Sequence, residues 1–344
     1  MVHMNKTMQA ILRVLDGQSD VVGSREISRQ LKRYGIDLTE RTVRYHLRIL
    51  DERGYTEVFG KEGRKITERG RGELRDGFVT EKVGFVINRI ETLSYLTTLN
   101  LGTMDGDIIL NISYIPEDME SEALRIAAPI FSSPYVMSSR VIIRRGGERI
   151  GHVTVPEGKV GIGTVCSVTI NGIFLKAGIP VTSRFGGVLE IDRGEPARFL
   201  SLISYDGSSL DPLEIFIRGK MTDVLGAVRN RSGCILASFR EIPVVCLDEV
   251  KRLAVKMKES GIEGILLIGD PNKPLLEIPV GFDKVGMIVV GGLNPLAAIE
   301  ESGIASESKA MSSLFEYAQL EQFDDAVRRL HEEIRGDHQA FKTG

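Results

Sequence analysis

The sequence predicts an α+β protein in which an N-terminal winged helix-turn-helix domain precedes a larger mixed α/β domain. The chain has 344 residues, which is enough for two or three domains of about 100–200 residues each. Residues 1–76 contain 16 Lys and Arg against 12 Asp and Glu, a charge of +4, whereas the whole chain carries −3. A basic N-terminal part therefore precedes an acidic remainder, and a uniformly basic nucleic-acid coat protein is excluded. We place the domains at residues 1–76 and 80–335.

The first domain shows three helical segments followed by a hairpin. The predicted helices cover residues 6–16, 24–35 and 39–54, and the predicted strands cover residues 55–59 and 64–67. Ser24 and Thr39 are the expected N-caps of the second and third helices, because their side-chain oxygens can accept from the first free backbone amides. Three helices and a hairpin in this order are typical of a winged helix-turn-helix.

After Gly77 the pattern changes to strands that alternate with helices. Helices are predicted at 81–99, 117–131, 212–229, 248–260, 295–301 and 312–334. Strands are predicted at 107–115, 163–170, 187–191, 197–204, 233–239, 264–268 and 286–290, with a hairpin of 136–144 and 149–155 around Gly146-Gly147. The segments 179–187 and 278–292 share an Ile-Pro-Val followed by a Gly-Gly pair, which hints at two related halves. The sequence predicts no strand order.

The third helix carries the strongest functional signal. At about 100° per residue, its basic and aromatic side chains lie opposite the apolar positions Val43, Leu47 and Leu50. A guanidinium can bind guanine in the major groove or a phosphate, and the hairpin can touch the DNA backbone. The predicted DNA-contacting residues are Arg41, Thr42, Arg44, Tyr45 and Arg48 on the helix and Lys61, Arg64 and Lys65 in the hairpin.

An ordinary solvated helix face is the alternative interpretation of these arginines. In that case they pair with Glu40, Asp51 and Glu52. The preceding capped helix, the short turn and the basic hairpin favour DNA binding.

Two groups of segments resemble a known family. In the first domain, residues 24–31 (SREISRQL) and 39–50 (TERTVRYHLRIL) resemble the winged-helix domain of archaeal repressors. In the second domain, residues 163–172 (GTVCSVTING), 178–181 (GIPV) and 184–187 (RFGG) resemble the regulatory domain of the NrpR family, archaeal nitrogen-regulatory repressors. The resemblance covers about residues 5–335. Some members carry two tandem regulatory domains, whereas this chain has room for one, so it works alone or with a companion subunit.

The resemblance implies a cytoplasmic homodimer that represses nitrogen-assimilation genes at an inverted-repeat operator. It also implies that 2-oxoglutarate binds the second domain, which serves for effector binding and dimerisation, and releases the DNA. A dicarboxylate needs a cation and neutral donors. The candidate effector residues are Thr164, Cys166, Ser167, Asn171, Lys176, Arg184, Gly186 and Gly187. The alternative is a glycine-rich set of strands and turns in which the hydroxyls bind local backbone.

Other functional classes receive little support. Cys166 with His152 could form a nucleophile and base, but a cysteine in an apolar alternating segment is usually a buried small side chain. We therefore expect no catalytic residues. Neither a dinucleotide fingerprint nor a phosphate-binding loop occurs, and the five histidines lack metal-ligand spacing, so no cofactor or metal is expected. The remaining alternative is a DNA-binding corepressor or partner subunit that senses no effector itself.

The compartment follows from the cysteines and the apolar segments. The three cysteines show no CxxC spacing, which suits a reducing cytosol. No stretch reaches the roughly 18–20 apolar residues that cross a bilayer. The sequence therefore predicts a cytoplasmic protein without a membrane partner.

Overall fold

The computed structural model describes residues 6–18, 20–76 and 84–340. The chain forms two compact units, Met1–Lys82 and Val83–Gly344, which we describe separately as the N-terminal unit and the C-terminal unit. Residues 1 and 80, at which the two predicted domains begin, lie outside the described residues. So does the start of the helix predicted at 81–99. Within residues 6–18, 20–76 and 84–340, no helix is both long and apolar enough to span a bilayer.

The N-terminal unit is a winged helix-turn-helix, as the sequence predicts. Its elements are α1 (Lys6–Asp16), α2 (Ser24–Leu31), α3 (Glu40–Glu52), β1 (Thr56–Phe59), β2 (Gly63–Ile66) and α4 (Glu68–Asp76). Apolar side chains of α1, α2 and α3 form one buried core, to which Ile66 of the hairpin contributes. The sequence analysis missed α4, whose Arg71 pairs with Asp16 of α1 at 3.0 Å.

Of the two predicted N-caps, one is confirmed and one is wrong. The Thr39 hydroxyl accepts from the Thr42 backbone N–H at 3.2 Å and so caps α3. Ser24 is the first residue of α2, and Gly23 occupies the cap position. The Ser24 hydroxyl instead donates to Glu40 Oε1 at 3.0 Å, which ties the start of α2 to the start of α3.

The C-terminal unit alternates strands and helices. Its strands are β3 (Asp107–Pro116), β4 (Arg140–Arg145), β5 (Arg149–Ile150), β6 (Val153–Thr154), β7 (Lys159–Val165), β8 (Thr182–Asp192), β9 (Glu195–Ser204), β10 (Gly233–Pro243), β11 (Ile265–Ile268), β12 (Lys284–Val290), β13 (Glu307–Glu316) and β14 (Glu321–Gln322). Its helices are α5 (Phe85–Leu96), α6 (Glu120–Phe131), α7 (Val168–Lys176), α8 (Pro212–Arg218), α9 (Val224–Arg229), α10 (Leu247–Glu259), α11 (Asn294–Glu301) and α12 (Phe323–Ala340).

Two five-stranded sheets organise this unit, which consists of two similar halves. Each sheet is built mainly from one half and contains one strand from the other. The orders are β13-β3-β7-β4-β14 and β11-β12-β10-β8-β9. The first half, β3-α6-β4-β7-α7-β8, repeats as β10-α10-β11-β12-α11-β13. Strand β8 of the first half joins the second sheet, and β13 of the second half joins the first sheet. The duplication is thus completed by a reciprocal exchange of strands.

Equivalent hydrogen bonds support the repeat. In the first half, the Thr169 hydroxyl accepts from Ile109 N at 3.2 Å. In the second half, Asn294 Oδ1 accepts from Leu236 N at 2.8 Å. Thr169 lies in the first turn of α7 and Asn294 in the first turn of α11, which are corresponding helices. When these two bonds are aligned, Lys159 at the start of β7 corresponds to Lys284 at the start of β12. In this alignment the two Ile-Pro-Val segments do not correspond to each other, so the register suggested by the sequence is wrong.

Four local predictions are wrong. The predicted helix 212–229 consists of two separate helices, α8 and α9. The other three are wrong because short apolar segments do not show which partner they have. Strand β4 pairs with β7 and β14 instead of forming the predicted hairpin, and β5 pairs with β6. The predicted strand 163–170 ends at Val165, and its second part begins α7. The predicted helix 312–334 contains the end of β13 before α12 begins at Phe323.

Gly172 on α7 provides a test of the packing. A Cβ atom there would lie 2.4 Å from Thr97 Cβ. Gly172→Ala should lower the free energy of unfolding by about 1–3 kcal/mol through overpacking, although Ala favours a helix by up to ~1 kcal/mol over Gly. Urea unfolding followed by circular dichroism measures this, with exposed Lys176→Ala on the same helix as control. A variant as stable as the wild type would contradict the packing.

Candidate functional site

Helix α3 presents a row of exposed side chains in the N-terminal unit. Its other side is fully buried through Val43, Leu47 and Leu50. The exposed fractions are 63% for the Arg44 side chain and 77% for that of Arg48. Arg41 and Tyr45 are exposed on the same helix. The side chains predicted to face DNA are therefore brought together on one accessible surface, which we call the α3 surface.

Carboxylates neutralise part of the α3 surface. Arg44 Nη2 donates to Glu40 Oε1 at 2.5 Å, and Arg48 Nε donates to Glu52 Oε1 at 3.2 Å. The hydrogen bond from Arg44, and secondarily that from Ser24, lowers the pKa of Glu40. These pairs are solvent-exposed, so each contributes little to stability. The arginines can therefore exchange a carboxylate for a phosphate at little cost.

Arg41 differs from its neighbours on α3. Among the described residues it has no acidic side chain within ion-pair distance. Thr42 is half-buried, and its hydroxyl lies 2.9 Å from that of Thr39 within the helix cap. The structure therefore leaves Arg41 open to a ligand and gives Thr42 a role in starting the helix.

The hairpin residues have different surroundings. Lys61 is exposed at the turn and Lys65 is half-buried in β2. Arg64 Nε lies 3.0 Å from Asp51 Oδ2, and both side chains are largely buried, with exposed fractions of 21% and 18%. Arg64 thus holds the hairpin against α3, which leaves Lys61 as the best-placed hairpin cation for a phosphate.

A cleft of about 760 Å³ opens in the C-terminal unit. Helix α5 forms one wall, and α7 with the first residues of β8 forms another. Of the eight candidate effector residues, Asn171 and Arg184 lie in the lining. The other lining residues are Ile87, Ile90, Glu91, Ser94, Tyr95, Leu175, Pro180, Val181, Thr182, Ser183, Phe185, Ser204 and Asp206. The sequence analysis missed the α5 wall because the candidates were sought only between residues 164 and 187.

Among the described residues, Arg184 is the only cation that lines the cleft. It lies in β8 where the pairing with β10 shifts between Phe239 and Arg240, and such bulges redirect side chains. Arg184 Nη1 donates to Glu241 Oε1 at 2.5 Å, and the guanidinium lies 5.1 Å from the centroid of the Phe185 ring. With 36% of its side chain exposed, Arg184 is accessible from the cleft.

Behind this wall lies Arg240, the largest fully buried side chain. Its guanidinium donates to Asn171 Oδ1 at 2.6 Å, to Ser167 O at 2.9 Å and to Ser167 Oγ at 2.8 Å. No carboxylate among the described residues forms an ion pair with it. Burial lowers the pKa of Arg240, because the charged form is separated from water. A strand prediction extended past Phe239 would have revealed this charge in an apolar segment.

The other candidate effector residues lie outside the cleft lining. The Thr164 hydroxyl donates to Gly292 O at 2.8 Å in the interior. Lys176 is exposed at the end of α7. Gly186 and Gly187 are buried in β8, where a Cβ would lie 2.8 Å from Pro212 Cβ and 2.6 Å from Phe199 Cδ1 respectively. These glycines make room for neighbouring side chains of the protein.

The arrangement of Cys166 does not support thiol chemistry. Burial raises the pKa of Cys166 to about 11, so the thiol is protonated near neutral pH. His152 Nδ1 lies 3.2 Å from the Ser313 hydroxyl and is not paired with the thiol. In the described ranges no group of three or more His, Cys, Asp or Glu side chains could hold a metal ion.

Comparisons with known proteins agree with this division. A family model described as NrpR regulatory domains NRD1 and 2 matches residues 83–322. The chain belongs to the NrpR family. A second model, the winged-helix domain of ribonuclease R, matches residues 9–74. A crystal structure of a nitrogen repressor-like protein from Methanococcus jannaschii is 31% identical, with a TM-score of 0.59, and the match covers 69% of this chain and 98% of that one.

Three NrpR relatives carry names that describe regulators. The global nitrogen regulator NrpRI of Methanosarcina mazei is 40% identical over 91% of this chain and 96% of its own length. The global nitrogen regulators NrpR of Methanococcus maripaludis and Methanocaldococcus jannaschii are 30% and 31% identical. This chain spans 54% of the length of each of these two. The chain therefore resembles relatives of two different lengths.

Cysteine labelling tests the buried thiol. Iodoacetamide at pH 8 should label half-buried Cys246 in the folded chain well before Cys166, because a thiol of pKa about 11 is about one part in a thousand thiolate. Peptide mass spectrometry measures the order, and labelling in urea is the control. Rapid modification of Cys166 in the folded chain would contradict its protonated, buried state.

Proposed function

We propose that this NrpR-family chain is a dimeric, nitrogen-responsive transcriptional repressor. The observation that carries the proposal is the exposed row of arginines on a capped helix within a winged helix-turn-helix. In this type of domain the corresponding helix enters the major groove and the hairpin lies near the DNA backbone. The relatives named as global nitrogen regulators support nitrogen-assimilation genes as targets.

The operator proposed here is an inverted repeat. One winged helix makes few contacts, whereas a two-fold dimer presents two α3 surfaces to two half-sites at high effective concentration. The C-terminal unit, with its larger core, is the proposed source of the dimer interface.

The proposed effector is 2-oxoglutarate, bound in the cleft of the C-terminal unit. Arg184 supplies a charged donor for one carboxylate, and Asn171 and Ser183 supply neutral polar groups beside it. Buried Arg240 lies behind Asn171 and adds positive potential to this wall. The carboxylates Glu91 and Asp206 elsewhere in the lining favour binding at the Arg184 end.

A partner subunit without its own sensing is the second candidate. Two observations favour it: Glu241 already neutralises Arg184, and the match covers only 54% of the length of two relatives. Calorimetry that shows no heat with 2-oxoglutarate, together with unchanged retention of operator DNA, would select this candidate.

Arg44 tests the DNA surface. Arg44→Ala should weaken binding to a duplex from the chain's own promoter region by about 5–150-fold, as expected for loss of a 1–3 kcal/mol contact. Gel shifts at several salt concentrations measure this, because loss of a phosphate contact also reduces the salt dependence. The control is Arg13→Ala, an exposed arginine on α1. Equal binding by Arg44→Ala and wild type would remove Arg44 from the interface.

Arg184 tests the effector site. Arg184→Gln keeps a donor for Glu241 but loses the charge, so 2-oxoglutarate binding should weaken by about 10–150-fold, the equivalent of a 1.5–3 kcal/mol charged hydrogen bond. Calorimetry on the full chain measures this. Lys176→Gln, which removes an exposed charge outside the cleft lining, is the matched control. If Lys176→Gln loses affinity and Arg184→Gln does not, the effector lies elsewhere.

A further inference from the structure

Helix α5 occupies a special place in the chain. It is the first described element of the C-terminal unit, and eight residues separate it from the end of α4 in the N-terminal unit. Among the described helices and strands of the C-terminal unit, α5 is therefore the nearest in sequence to the DNA-binding unit.

One helix contributes both to the core and to the cleft. Val86, Ile90 and Ser94 are buried. Next to them, Glu91 and Tyr95 face the cleft, where Tyr95 has an exposed fraction of 73%. A dicarboxylate held by Arg184 would thus face the Glu91 carboxylate of α5 across the cleft, which links ligand occupancy to the position of this helix.

Arg89 anchors α5 on the side of the second half. Its Nε and Nη2 atoms donate to the Met311 carbonyl oxygen at 3.0 and 2.5 Å. Burial lowers the pKa of Arg89, since the charged form is partly removed from water. Among the described residues no ion pair of Arg89 with a carboxylate is present, so its strongest direct contact is with this carbonyl.

The anchor point is an irregular part of β13. Pairing with β3 shifts between Lys309 and Ser313, and Met311 has a φ of 51°, a left-handed conformation that is uncommon for a residue other than glycine. The Met311 N–H donates to Asn111 Oδ1 at 3.1 Å, and the Met311 carbonyl oxygen accepts from Arg89. Such a conformation persists when surrounding contacts determine it from several sides. The cleft lies at the other exchanged strand, β8, where Arg184 also occupies a bulge.

We propose that α5 is the coupling element between the effector cleft and the DNA-binding unit, and that Arg89 is a positioning residue for this coupling. Arg89 fixes α5 to the exchanged strand β13 while the other side of the helix meets the ligand beside β8. Ligand binding then shifts the helix against a defined anchor, at the start of the described part of the C-terminal unit, from which the chain leads back to the winged helix. This inference rests on the proposed function and adds its route of regulation.

The experiment compares the full-length wild type with Arg89→Met. Calorimetry with 2-oxoglutarate and gel shifts with the promoter duplex give the two separate affinities. Gel shifts in saturating 2-oxoglutarate give the coupling factor, for which ~5–150-fold is typical. We expect Arg89→Met to keep both separate affinities near the wild-type values but to bring the coupling factor close to one. Arg89→Lys, which restores a donor, should recover part of the coupling.

Arg198→Met is the matched control. Arg198 is an exposed arginine on β9 that pairs with Glu190 and lies outside the cleft lining. It should leave the coupling factor at the wild-type value. Replacement of a merely structural arginine would alter stability, the affinity for 2-oxoglutarate or the affinity for DNA. Replacement of a positioning residue alters the coupling factor between the two affinities.

Hydrogen exchange on the wild type gives an independent readout, because it does not depend on the folding of a variant. Saturating 2-oxoglutarate should slow amide exchange in residues 85–96. Full coupling in folded Arg89→Met, or unchanged exchange of α5 in the ligand-bound wild type, would overturn this proposal while leaving the repressor function intact. Absence of 2-oxoglutarate binding to the wild type would overturn the sensing part of the proposed function, and this proposal with it.

Discussion

The reciprocal exchange of β8 and β13 is the constraint on which the C-terminal unit depends. Each half places its last repeated strand in the sheet of the other, and this strand pairs with the first strand of that half. Neither sheet can be complete while the other half is unfolded, so burial of the two apolar faces is coupled. The larger apolar core of the unit therefore includes residues from both halves. The same exchange pairs β8 with β10, which places Arg184 of the cleft lining beside Glu241 of the second half.

A buried charge accompanies this architecture. Arg240 belongs to the second half, whereas its acceptors Ser167 and Asn171 belong to the first, so these three hydrogen bonds are formed only when the halves meet. A guanidinium without these acceptors would carry a large desolvation cost, because water no longer reaches it. Incorrect pairing of the halves would leave this cost uncompensated. Arg240 thus favours one arrangement of the repeat and also places positive potential behind Asn171 and the cleft.

Local patterns in the sequence predicted the N-terminal unit well and the C-terminal unit only in part. Thr39, Gly54 and the apolar spacing on α3 act within a few residues, so the helix and its exposed arginines could be derived from the sequence. Strand exchange depends on pairing between residues such as Ala237 and Gly187, about 50 positions apart, which composition and spacing do not encode. The segment around Val165 is buried on all sides, and for such a segment periodicity does not distinguish a buried strand from a buried helix. The α5 wall was missed for a related reason, since its residues lie far from the glycine-rich segment in sequence.

The two sites share one electrostatic arrangement. On α3, Arg44 is held by Glu40, and in the cleft Arg184 is held by Glu241. In each case an internal carboxylate occupies the guanidinium before a ligand arrives, so an incoming phosphate or carboxylate replaces an existing partner instead of meeting a bare charge. The net gain of such an exchange is small compared with the attraction of an isolated pair. For the proposed repressor, this exchange would keep both binding reactions reversible, as a switch requires. Because coupling between two ligands is reciprocal, a cleft that releases DNA when filled must also bind its effector more weakly when DNA is bound. Modest affinity at both sites therefore lets a coupling of a few kcal/mol change the occupied state, which a very tight complex at either site would prevent.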